Sequence, residues 1–138
     1  MDQNDIDALI NDFVNVSKRA DALGLDLIEL PGAHGYLLHQ FLSPLSNNRD
    51  DQYGGNLENR MRLLLDVFKA VRAEFSSEKP VGVRVSATDW VEGGWDLAQT
   101  IEMSAVTLAF SDGCKEQSAA VAVSPDYFII CFSSQGKC

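Results

Sequence analysis

The sequence predicts an α/β fold in which parallel strands alternate with helices. Two long segments carry apolar residues at helical spacing, and two short aliphatic runs after them read as buried strands. The two loops with unusual chemistry, residues 31–56 and 86–95, each follow a strand and precede a helix. That position is the C-terminal edge of a parallel sheet, where α/β folds build their sites. With right-handed crossovers the order fits either a doubly wound sheet or a barrel.

Residues 5–23 place Ile6, Leu9, Ile10, Phe13, Val16 and Ala20 on one helical face, with Asp5 as the expected N-cap and Gly24 as the stop. "LDLIEL" then reads as a strand halted by Pro31. After the long loop, Gly54 and Gly55 turn the chain and Asn56 caps a second helix. Its buried face is Leu57, Met61, Leu64, Leu65, Phe68, Val71 and Phe75. "SSEKP" ends that helix, "VGVRVSA" forms the second strand and "TDWVEGGWD" the second loop. A third helix starts at Leu97 and extends to the region of Ala109, and "YFIICF", residues 127–132, is a candidate further strand.

The 138 residues are 46% hydrophobic and 22% charged, which suits one globular domain. A net charge of -9 has the wrong sign for neutralising nucleic-acid phosphates or an anionic membrane, so neither is an expected partner. The N-terminal "MDQNDIDALI" has no basic stretch leading into an apolar core, and no apolar run approaches the roughly 18 residues of a membrane span. A cytoplasmic protein is expected. Cys114, Cys131 and Cys138 show no paired spacing, so no metal site or disulfide framework is expected either. After residue 103 there are two Lys and three Asp or Glu, against nine and seventeen before it. The chain is therefore divided into residues 1–103 and a divergent tail, 104–138, holding the candidate strand.

His34, Tyr36 and His39 are polar groups at the mouth of the sheet, and Arg84 projects from the second strand. An Arg there needs an anionic or strongly accepting partner. A bound phosphate, carboxylate or cofactor ring oxygen is one solution, and an ion pair with Glu29 or Asp89 is the other.

The run "AHGYLLHQFLSPLSN", with "YGG" and "LENR" following it and "VGVRVS" and "EGGWD" one helix later, resembles the old yellow enzyme family of FMN-dependent NAD(P)H oxidoreductases and ene-reductases. The resemblance spans residues 5–103. It implies a partial (β/α)8 TIM barrel, with FMN at the C-terminal ends of the strands and NAD(P)H as reductant. The implied substrate is an α,β-unsaturated carbonyl compound. On this resemblance Tyr36 is the proton donor to substrate, His34 a hydrogen-bond donor to the substrate carbonyl, and Arg84 the contact to the flavin's pyrimidine edge. The family's first carbonyl donor, a histidine, falls at Pro31, which has neither a side-chain donor nor a backbone N–H. His39, Arg49, Asp51 and Tyr53 are expected to pin the loop, and Trp90 and Trp95 to pack the second loop.

A closed eight-stranded barrel usually takes about 250 residues, rarely below about 200, so the barrel here is expected to be incomplete. Its open sheet edges and uncovered apolar face imply self-association or a partner that supplies the missing strands. The alternative reading is a non-catalytic truncated remnant or interaction fragment that does not bind FMN.

Overall fold

A computed structural model describes residues 1–111, 118–123 and 127–133, with side chains described through residue 107. The first helix, α1 (Gln3–Ala22), begins earlier than its periodicity suggests. Asp2, not Asp5, is the N-cap: its carboxylate accepts from the Asp5 N–H at 3.0 Å, and the Asp5 carboxylate accepts from the Asp2 N–H at 2.8 Å. This reciprocal capping box satisfies two otherwise unpaired helix N–H groups and moves the start of the helix forward. The buried stripe includes Ile6, Ser17 and Ala20, whereas Val16 faces outward. Beyond the helix, Gly24 takes a left-handed φ of 77°, the conformation that a C-terminal stop demands of its residue.

Strand β1 (Ile28–Gly32) runs through Pro31 instead of ending before it. Among the described residues it lies at the edge of the sheet, and an edge strand tolerates a residue without an N–H. It pairs in parallel with β2 (Val81–Ser86), in a register that sets Leu30 opposite Val83 and Pro31 opposite Arg84. Side chains alternate across a strand, and directly paired residues share a face. Leu30, Val81, Val83 and Val85 are accordingly buried together. They join Leu63, Leu64, Val67, Phe68 and Val71 of α3 (Leu57–Glu74) in the core. Glu29, Pro31 and Arg84 share the opposite face, which is the interior face of a barrel. Asn56 caps α3 as expected, its side chain accepting from the Asn59 N–H at 2.9 Å.

Gly32 sits closely packed between Leu64 of α3 and the backbone of β2. A Cβ added there would lie 2.6 Å from Leu64 Cδ1 and 2.9 Å from the Arg84 carbonyl oxygen. Gly32→Ala is therefore expected to cost about 1–3 kcal/mol by overpacking, read as a lower urea midpoint at unchanged slope. An unchanged midpoint would mean that the strand and helix separate freely.

The helix α4 (Leu97–Ser111) crosses residue 103 without a break. Strands β3 (Ser118–Val123) and β4 (Tyr127–Ser133) follow, giving the sheet order β1-β2-β4-β3. The β1–β2 pair is parallel as the alternating pattern requires, but β4 is antiparallel to both β2 and β3. The link between β3 and β4 is only residues 124–126, and parallel neighbours would need a crossover of a dozen or more residues. Among the described residues the sheet is thus mixed and does not close into a barrel.

Candidate functional site

The chain leaves β1 through Ala33 and turns at His34, whose φ of 57° is left-handed. A short helix, α2 (Leu37–Leu42), follows within what the sequence pattern reads as loop. His34 and Tyr36 are both exposed on this turn, Tyr36 by 63%. The His34 N–H donates to Ser86 Oγ at 3.1 Å, which ties the turn to the C-terminal end of β2. The Gly35 N–H donates to His39 Nδ1 at 2.8 Å. Pro31, Tyr36, Leu37 and Leu38 border, with Phe13 of α1, an apolar pocket of about 250 Å³.

Arg84 is half-buried, and its Nε lies 2.9 Å from Glu29 Oε1. Of the two ion-pair partners expected for it, Glu29 is the one found. Asp89 serves His39 instead, with 2.9 Å between His39 Nε2 and Asp89 Oδ1. His39 is buried and supports the turn, as expected.

The rest of the long loop is held by polar pins. Asn47 donates through Nδ2 to the carbonyls of Phe41 and Tyr53 at 2.6 and 2.7 Å, and its Oδ1 accepts from the Arg49 N–H. Arg49 pairs with Asp51 and lies over the Phe41 ring at 5.5 Å. The Arg49 hydrogen bond, assisted by the Tyr53 N–H, lowers the Asp51 pKa. Tyr53 is buried edge-on against Phe41, with centroids 6.3 Å apart. Buried Arg60 donates to the Leu42 carbonyl, to the Gly55 carbonyl at 3.1 Å and to Gln99 Oε1 at 2.8 Å, so it joins α2, the loop and α4. Burial lowers its pKa.

The two tryptophans of the second loop part company. Trp95 is fully buried, its indole N–H shared between the Ser86 carbonyl at 3.1 Å and Thr100 Oγ1 at 2.7 Å. Trp90 is 74% exposed and adopts a left-handed φ of 58°. Sequence reasoning passed over Ser43, Ser86 and Arg60, and took Asp89 only as a partner for Arg84. These residues act across tens of positions, where no periodic signal links them. The polar pair Thr88 and Asp89, at the start of the loop after β2, was the one available sign for Asp89.

Helices on one face of a parallel strand pair, with polar side chains gathered beyond the strand ends, define a segment of a (β/α)8 barrel of the kind that carries its chemistry at that rim. The chain belongs to the NADH:flavin oxidoreductase / NADH oxidase family, whose model matches residues 1–126. An NADPH dehydrogenase of Clostridium acetobutylicum is 54% identical over 91 residues, covering 66% of this chain and 27% of that protein. An NADH:flavin oxidoreductase of Gibberella zeae is 46% identical over 114 residues, covering 75% and 28% respectively. The crystal structure of Old Yellow Enzyme from Pichia sp. AKU4542 superposes with a TM-score of 0.74 at 33% identity, over 83% of this chain and 32% of that one. The chain thus spans less than a third of the length of these relatives. The family implies FMN and NAD(P)H. Among the described residues no group of His, Cys, Asp or Glu could hold a metal, and no helix is long and apolar enough to cross a membrane.

Proposed function

We propose that residues 1–103 form the central segment of a cytoplasmic FMN-dependent NAD(P)H oxidoreductase of the old yellow enzyme type, acting on α,β-unsaturated carbonyl compounds, with 104–138 as a divergent tail. The observation that carries this reading is the convergence at the rim of the β1–β2 pair. Arg84 faces the barrel interior opposite Pro31, and the His34–Tyr36 turn is tethered to β2 through Ser86.

The chemistry that bound FMN would supply is hydride transfer between NAD(P)H and the substrate β-carbon. Arg84 suits its pyrimidine edge: the side chain stays 35% exposed on the interior face, and Glu29 anchors it at Nε. His34 would donate a hydrogen bond to the substrate carbonyl, where negative charge develops. Tyr36, exposed beside the apolar pocket, would deliver the proton to the α-carbon. Pro31 lines the same pocket and adds no donor.

A second reading, a non-catalytic remnant or interaction fragment that does not bind FMN, is favoured by one observation. β4 lies antiparallel along the edge of β2 where a barrel would continue with a parallel strand. On that reading the other sheet edge, at β1, is open to self-association or to a partner supplying strands.

Titrating the purified chain with FMN, following flavin fluorescence quenching together with light scattering, separates the two. Saturable one-to-one quenching without scattering is the expected result for a flavin site. Absent quenching leaves the remnant reading.

A further inference from the structure

The turn that carries His34 and Tyr36 is held by a chain of hydrogen bonds with a fixed sense. The Gly35 N–H, between the two residues, donates to His39 Nδ1 at 2.8 Å. A backbone N–H can only donate, so Nδ1 is the bare ring nitrogen and the proton of the neutral imidazole sits on Nε2. Nε2 is 2.9 Å from Asp89 Oδ1 and therefore donates to it. The other carboxylate oxygen, Oδ2, accepts from Ser43 Oγ at 2.6 Å and from the Trp95 N–H at 2.8 Å. The Asp89 N–H in turn donates to the Trp95 carbonyl at 2.8 Å. The His39 and Asp89 side chains are exposed by only 11% and 9%, so water does not substitute for either.

We propose that Asp89 fixes the His39 tautomer and thereby positions the Gly35 amide between His34 and Tyr36. His39 and Asp89 are then positioning residues that hold the substrate-facing turn in register with the loop after β2. The inference rests on the role assigned above to His34 and Tyr36, but its geometry is measurable without flavin or turnover.

The isosteric change Asp89→Asn tests the polarity of the chain. A carboxamide has one accepting oxygen, and the Trp95 N–H cannot reverse, whereas the Ser43 hydroxyl can donate or accept. The oxygen therefore goes to Trp95, and the amide N–H₂ faces His39 Nε2. The ring answers by moving its proton to Nδ1, which then meets the Gly35 N–H donor to donor.

The experiment is nitrogen-15 spectroscopy of the histidine rings and of amide exchange in the full chain. In the native chain His39 is expected to show a bare Nδ1 and a protonated Nε2. Asp89→Asn should exchange the two signatures and speed Gly35 amide exchange about tenfold, the worth of one hydrogen bond, while the Trp95 amide stays protected. Ser43→Ala, which keeps the carboxylate, should leave both readouts at Gly35 and His39 unchanged. A native His39 protonated at Nδ1 overturns the proposal with no substitution at all, even where Asp89→Asn fails to fold. So do an Asp89→Asn chain with unchanged ring and Gly35 signals, and a Ser43→Ala chain that loosens Gly35 equally. A failed FMN titration touches none of these outcomes.

Discussion

Trp95→Ala is expected to remove about 3–5 kcal/mol of folding stability, the usual range for deleting a buried Trp. The side chain is fully buried in the core that α3 and β2 build, so its removal leaves a cavity that neighbouring side chains fill only in part. The indole N–H is also lost as a donor to the Ser86 carbonyl and Thr100 Oγ1. The Thr100 hydroxyl, 3.3 Å from the Ser86 carbonyl, can turn its single proton to that oxygen in place of the indole, so the cavity dominates. Set against a typical domain stability of about 5–15 kcal/mol, the loss is a large share of the total. Urea denaturation measures it directly. The other tryptophan of the loop is the control: Trp90 is 74% exposed, and Trp90→Ala should stay within about 0.5 kcal/mol. Equal effects at the two positions would contradict the burial assigned to each.

The contrast between these two residues shows where sequence reasoning reaches and where it stops. Both tryptophans flank the same "VEGG", and nothing local to the chain separates them. What separates them is Asp89, whose backbone and carboxylate both bind Trp95 and fold the loop back under β2. The long helices α1 and α3 were legible because a face repeating every 3.6 residues persists over several turns. The six residues of α2 complete fewer than two turns, so their pattern merges with the loop. Strand direction is likewise absent from side-chain pattern: "YFIICF" reads as a strand, and only the short link to β3 makes it antiparallel. The motif around His34 and Tyr36 was legible by resemblance, while the hydrogen bonds that aim it join residues about fifty positions apart.

In the enone reduction proposed above, Pro31→His is expected to raise the NADPH-driven rate of the FMN-loaded chain about 10²–10³-fold, the amount that one donor to a developing oxyanion commonly contributes. Pro31 lies on the interior face directly opposite Arg84 and borders the same pocket as Tyr36. A histidine there would point an imidazole N–H toward the substrate side, paired with the donor assigned to His34. β1 is an edge strand among the described residues, so the replacement restores a backbone N–H without displacing a sheet partner. Arg84 keeps its ion pair with Glu29, and FMN affinity should not change. Pro31→Ala separates the two consequences of losing proline, since it restores the N–H but supplies no side-chain donor. It should leave the rate at the parent level. An FMN-loaded Pro31→His chain no faster than Pro31→Ala would show that the lost donor does not limit this site.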